Sequence, residues 1–154
     1  MANIKIVIQG EENEKLATEL IIANLALVLQ EELIEAKEKA ERNENYYNTI
    51  INKIGEPIFV KDDQSRLVLV NNAFCKLFDI SRSKIIGKTL AEDVSPDERD
   101  SFLKIDREVF TDGLENINEE SITVRGGETR MFLTNKNRFF DKNGTKYLIG
   151  ISHD

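Results

Sequence analysis

Cysteine and histidine are almost missing from this chain: Cys75 and His153 are the only ones in 154 residues. One chain can therefore assemble neither an internal disulfide nor a Cys/His zinc centre, and a single thiol fits a reducing compartment. Basic runs and basic–aromatic patches are also missing. Binding to nucleic acid needs clustered Lys/Arg against the phosphates, so nucleic acid is not expected as a partner. Long apolar runs are lacking too. The longest, Leu20 to Leu29, is interrupted by Asn24 and reaches only half of the roughly 20 residues that a membrane-crossing helix needs. Met1 to Gln9 has no basic segment followed by an apolar run and a small-residue cleavage site, so it does not read as a signal peptide. A cytoplasmic protein, or a cytoplasmic piece of a larger one, is expected, with no direct membrane insertion.

Only two prolines and eight glycines occur, which excludes collagen-like and low-complexity chains. Apolar residues make up 40% and charged residues 32%, a globular balance whose length suits one domain with an added arm. The formal charge of −7 is unevenly spread. Residues 1–45 hold ten Asp/Glu against five Lys/Arg, and the remainder eighteen against sixteen. Acidity belongs mainly to the first segment.

That segment repeats itself. Ala2-Asn3-Ile4-Lys5-Ile6-Val7-Ile8-Gln9 returns as Ala23-Asn24-Leu25-Ala26-Leu27-Val28-Leu29-Gln30, an offset of 21 residues. A multiple of seven returns the same side chains to the same helix face, as a coiled coil requires. From Leu33 the seam continues through Ala36, Ala40, Asn43, Tyr47, Ile50 and Ile54 in steps of three and four. Glu35 and Lys39 fall at a favourable i,i+4 spacing. A helix of about 40 residues extends ~60 Å at 1.5 Å per residue, more than a domain of this size can cover, so a homodimer through residues 14–54 is expected. The alternative is an amphipathic helix lying on its own domain. Gly10 and the β-branched run Ile4 to Ile8 leave the first turns open between frayed helix and strand.

From Glu56 the period changes to that of strands. Pro57–Lys61 and Arg66–Val70 form a hairpin about Asp62-Asp63-Gln64-Ser65. Asn71 or Asn72 can cap a short helix, Ala73 to Phe78, with further helical pieces at Ser83–Ile86 and Thr89–Val94. Ser95-Pro96-Asp97-Glu98 is a strong helix start, and that helix carries Phe102, Ile105, Val109 and Phe110 on one side before Asp112-Gly113. Strands follow at Asn118–Arg125, Thr129–Phe140 and Lys146–Ser152, the last two joined by Asp141-Lys142-Asn143-Gly144.

This order, with Val70-Asn71-Asn72-Ala73-Phe74, the Gly87 break, the Asp141/Asn143-Gly144 turn and the closing Gly150-Ile151-Ser152-His153-Asp154, resembles the Per-Arnt-Sim (PAS) sensor family over about residues 46–154. The resemblance implies an α+β fold: a five-stranded antiparallel sheet with flanking helices, here preceded by a coiled-coil helix over residues 1–45. The repeat resembles signalling helices found before PAS domains in prokaryotic sensor histidine kinases. Family members continue with Ile-Thr after the closing Asp, which implies an excised domain whose output, a kinase or cyclase, lies downstream.

Such domains sense a small molecule, a cofactor or a redox change, or simply dimerise. Haem-binding relatives use a His near the long helix, and Pro96 to Asp112 has none; His153 at the last strand's end is expected to be an exposed terminal residue. Light-sensing flavin relatives carry a reactive Cys on a later helix, whereas Cys75 lies in the first short one and reads as a small, half-buried apolar residue. No cofactor is expected, and purified protein should be colourless. No catalytic constellation is present either, since Asp62/Asp63, Asp97/Glu98/Asp100 and Glu119/Glu120 all fall where solvated acids are ordinary.

A ligand would sit between the concave sheet face and the long helix. Alternation puts Met131, Leu133, Asn135, Asn137 and Phe139 on one face and Arg130, Phe132, Thr134, Lys136, Arg138 and Phe140 on the other. The charges on the second set assign the first inward. The expected ligand-binding residues are therefore Asn135, Asn137, Phe102, Ile105, Leu133 and Met131, with Ile58, Val60, Leu69, Ile122 and Val124 completing the lining; the alternative is that the apolar residues are plain core, Asn135 bonds local backbone and Asn137 stands near the strand end. Two functions remain open: a ligand-responsive signalling input, and a coiled-coil spacer with a filled core.

Overall fold

The computed structural model describes residues 2–90, 94–124 and 127–154, with side chains from Gln9 onward. Helix α1 spans Ala2–Lys53, so the strand alternative at Ile4–Ile8 is not taken. By internal contacts the chain divides into two units, Met1–Tyr47 and Asn48–Asp154. In the first, Leu16, Leu20, Leu25 and Leu33 are 57–70% exposed. Among its described side chains the i,i+4 ion pairs are Lys37–Glu41 and Glu38–Arg42, not Glu35–Lys39. No helix among the described residues is long and apolar enough to cross a membrane.

In the second unit β1 (Ile58–Asp62) and β2 (Leu67–Val70) are followed by α2 (Asn72–Phe78), α3 (Arg82–Ile85) and α4 (Pro96–Asp112), then β3 (Asn116–Thr123), β4 (Thr129–Phe140) and β5 (Lys146–His153). The five strands form one antiparallel sheet in the order β2-β1-β5-β4-β3. The last strand therefore lies in the centre and pairs with the first. Half of the helical piece expected at Thr89–Val94, residues 91–93, lies outside the described residues.

Local chemistry explains these elements. Asp62 Oδ1 accepts from the Gln64 and Arg66 amides at 3.0 and 2.9 Å, and Asp141 Oδ1 does the same for Asn143 and Thr145 at 2.8 Å. An Asp side chain thus replaces missing strand partners at both hairpin turns. Gly144, at φ 81°, supplies the left-handed residue that the second turn requires. Helix α4 starts on a capping box, in which the Ser95 hydroxyl accepts from the Glu98 amide and Glu98 Oε2 accepts from the Ser95 amide at 3.1 Å.

Glu98 also holds the sheet, because its Oε1 accepts from both the amide and the hydroxyl of Thr123 at 2.8 Å. Burial pushes the Glu98 carboxyl up, but the bonds from Thr123 and Ser95 outweigh it and leave its pKa below the usual value. A carboxylate so shifted stabilises the fold above its unfolded pKa, about 4.3, and the contribution is lost as pH falls through the lower folded value. Glu98→Ala should cost about 1–2 kcal/mol at pH 7. Urea unfolding at pH 7 and again at about pH 3 checks this, since the gap between wild type and variant must shrink in acid.

The core between sheet and helices comprises Phe59, Leu67, Val70, Phe74, Ile85, Phe102, Val109, Phe110, Ile122, Phe132 and Leu148, among others. Phe59 lies flat against Gly150, where a Cβ would collide with its ring. Only glycine lets the central pair of strands accept that ring.

Candidate functional site

Four charged side chains are buried among these apolar residues. Lys61 of β1 is 5% exposed, Asp106 of α4 0%, Glu120 of β3 6% and Lys136 of β4 1%. Lys61 Nζ donates to Asp106 Oδ2 at 2.5 Å, and Lys136 Nζ donates to Glu120 Oε1 at 2.7 Å. The two pairs join through Lys136 Nζ and Asp106 Oδ1, 3.2 Å apart, although Asp106 Oδ1 takes no hydrogen bond. Two cations and two anions balance, which is the condition for keeping charge in a low-dielectric interior. Burial pushes the Lys61 ammonium below its ordinary pKa, against the attraction of Asp106 and with the help of Lys136.

Beside this quartet lies a cavity of about 20 Å³, walled by Phe59, Phe74, Phe78, Leu90, Phe102 and Ile122 and closed at its polar end by Lys61, Glu120, Lys136 and Ser152. That is room for a water molecule and little more. Lys61 and Lys136 also stand 5.4 and 5.6 Å from the ring centres of Phe59 and Phe102, within cation–π range.

The quartet overturns the facing assigned to β4 from its sequence. Phe132, Thr134 and Lys136 point inward and are buried, while Met131 and Leu133 are 54% and 48% exposed on the opposite face. Asn135 and Asn137 are on that outer face as well, where Asn135 donates to Glu115 Oε1 at 2.6 Å and Asn137 donates to Asn135 Oδ1 at 2.7 Å. None of Met131, Leu133, Asn135 and Asn137 lines the interior cavity. The inversion has a physical cause: the charges that should have kept the other face in water have partners inside. Lys136 is met by Asp106 and Glu120, and Arg138 donates from Nη1 to the Phe110 carbonyl at 2.8 Å, capping the C-terminal end of α4.

Of the residues expected to bind, Phe102 does line the cavity, and Ile105 packs at the edge of the core without reaching it. From β1 the cavity takes Phe59 and Lys61 rather than Ile58 and Val60. Asp106, Glu120, Lys61 and Lys136 went unnoticed as a group. One signal for them existed: Asp106 follows Ile105 on the same helix face as Phe102, Val109 and Phe110. Cys75 is half-buried against the core. The His153 side chain is 68% exposed, with Nδ1 2.6 Å from Glu56 Oε1.

A second cluster stands at the junction of α1 and β1. Asn71, with no exposed surface, accepts on Oδ1 from the Ile58 and Phe74 amides at 3.0 Å. Its Nδ2 donates to the carbonyls of Ile51, Ile54 and Glu56 at 3.1, 3.4 and 2.8 Å. Beside it Asn52 Oδ1 accepts from the Asn72 amide at 2.8 Å and from Arg82 at 3.0 Å.

Comparison with known proteins agrees with this architecture. A family profile describing the PAS fold matches residues 45–154. An uncharacterised protein, y4lL, of Sinorhizobium fredii is 34% identical over 111 residues, covering 70% of this chain and 13% of that protein. A diguanylate cyclase of Vibrio cholerae is 26% identical over 70% of this chain and 35% of its own length. The chain thus spans a minor part of both relatives. Among solved structures, a PAS domain from a two-component sensor histidine kinase superposes with a TM-score of 0.61 at 18% identity, covering 74% of this chain and 97% of that one. That likeness concerns the fold alone.

Proposed function

The chain belongs to the PAS fold family, and from that premise we propose that it is a non-catalytic sensory input module acting in the cytoplasm within a longer signalling protein. A small molecule in its interior alters the packing of the charged quartet, and a homodimer formed through α1 passes the change to an output domain of the histidine kinase or cyclase type. The buried quartet carries this reading. It ties three strands to α4 through charges that have few alternative partners, so an occupant that re-pairs one of them moves the helix relative to the sheet. Dimerisation is supported by the exposed leucines of α1, since a helix this apolar over Leu20–Leu29 is seldom left in water. The relatives support a larger parent, because this chain matches only 13% and 35% of their lengths.

A second reading is favoured by one observation, the cavity of only about 20 Å³. A core so nearly full suits a spacer that dimerises and senses nothing. Sedimentation equilibrium at about 100 μM, a concentration that reveals micromolar helix pairing, should return a dimer; a monomer there removes the proposed role of α1. Native mass spectrometry of the same sample separates the two readings, since sensing predicts a small molecule retained per protomer or captured from a metabolite mixture. Absence of both leaves the spacer.

A further inference from the structure

The two interior ammonium groups have donors to spare. Two buried ammonium groups offer three N–H donors each, yet each makes a single hydrogen bond, Lys61 to Asp106 and Lys136 to Glu120. Both groups line the cavity, so an oxygen placed there would satisfy donors that are otherwise buried and idle, a saving in free energy specific to acceptors. Charge narrows the class further. The quartet is neutral as it stands, and an added ion of either sign would leave one buried charge uncompensated.

Access points the same way. An open cleft of about 520 Å³ runs from the start of α4 over the edge strand β3 to Met131 on the outer face, and its lining shares Phe102 and Glu120 with the inner cavity. Among its described residues are the carboxylates of Asp97, Glu98, Glu119 and Glu120 and no basic side chain. A mouth of that sign repels anions before they reach the lysines. The aromatic walls of the inner cavity favour a flat group, and its volume, about that of one water, admits the carbonyl oxygen while the rest of the molecule remains in the cleft.

Building on the sensing role proposed above, we infer that the cavity binds the uncharged, planar carbonyl end of a small molecule, of the amide, lactam or ketone type, entering past Phe102 and Glu120. Its oxygen accepts from Lys61 and Lys136, and the body lies along the cleft.

Three planar molecules of the same shape and different charge test this: acetamide, acetate and acetamidinium. Carbon-13 methyl spectra of the full chain read Ile122 and Leu90, both on the cavity wall, against exposed Leu114 as control. Each probe is added to about 50 mM, because a four-atom fragment binds in the millimolar range at best. Acetamide should shift the Ile122 and Leu90 methyls saturably, and the two ions at least about tenfold less at equal concentration. In the charge-balanced double variant Lys136→Met with Glu120→Leu, verified as folded by its spectrum, the acetamide response should vanish. An equal or larger response to acetate or acetamidinium overturns the ligand class while leaving interior sensing intact. A response retained in the double variant overturns the role of Lys136. If no probe moves Ile122, the site falls together with interior sensing and the spacer reading prevails.

Discussion

Asp106→Ala should lower the stability of the folded domain by about 3–5 kcal/mol, because it takes from the buried Lys61 ammonium the carboxylate it is hydrogen-bonded to, while Lys136 keeps Glu120. Asp106 is wholly buried, and its two oxygens face Lys61 and Lys136 at 2.5 and 3.2 Å. With the carboxylate gone, Lys61 must shed its proton or draw water inward, and either route costs free energy. Removing all four charges together has the opposite expectation. The variant Lys61→Met, Asp106→Leu, Glu120→Leu, Lys136→Met keeps volume and buries no charge, so its stability should equal wild type or exceed it by about 1–4 kcal/mol. Urea unfolding of the single and quadruple variants gives both numbers. If Asp106→Ala costs less than about 1 kcal/mol, the value of an exposed pair, then water reaches the quartet and its proposed part in sensing goes with it. A quadruple variant that is stable but no longer responds to ligand would identify the charges as kept for function rather than for stability.

The quartet also marks where sequence stopped being informative. The strands, both hairpin turns, the Ser95 cap and the Gly113 end of α4 were legible because each depends on neighbours in the chain: period-two alternation, Asp side chains two to four residues from the amides they serve, Ser followed by Pro and Glu. Facing on β4 depends on partners far away in sequence. Lys136 is inward because Glu120 and Asp106, 16 and 30 positions earlier, are there to meet it, and Arg138 because helix α4 ends against it. A rule that sends charge to water has no means of anticipating paired charge. Strand periodicity then converts that one misjudgement into a misplacement of Met131, Leu133, Asn135 and Asn137 at once, since every side chain changes face together. Phe102 escaped because its helix was judged on its own apolar stripe.

Asn71→Asp should destabilise the domain nearly as much as Asn71→Ala, and that equivalence is the signature of a clamp rather than an ordinary helix cap. At most N-caps Asp and Asn serve equally, because only an acceptor oxygen is needed. Asn71 also uses its amide hydrogens, which reach three carbonyls: Ile51 and Ile54 at the end of α1, and Glu56 in the turn before β1. Aspartate would keep the bonds from Ile58 and Phe74 but turn a second negative oxygen towards those carbonyls in a site without solvent. Alanine would leave two buried amides and three carbonyls without their partner, a loss of about 3–5 kcal/mol when a cap and its unsatisfied neighbours are counted together. Because the same side chain grips the end of α1, the start of β1 and the start of α2, hydrogen exchange should localise the damage. Amides of Asn52, Lys53 and Ile58 should lose protection in both variants, at denaturant concentrations where those of β4 and β5 keep theirs. If Asn71→Asp instead matches wild type, the amide bonds to the end of α1 carry no weight, and Asn52 there is held by its contacts with Asn72 and Arg82 instead.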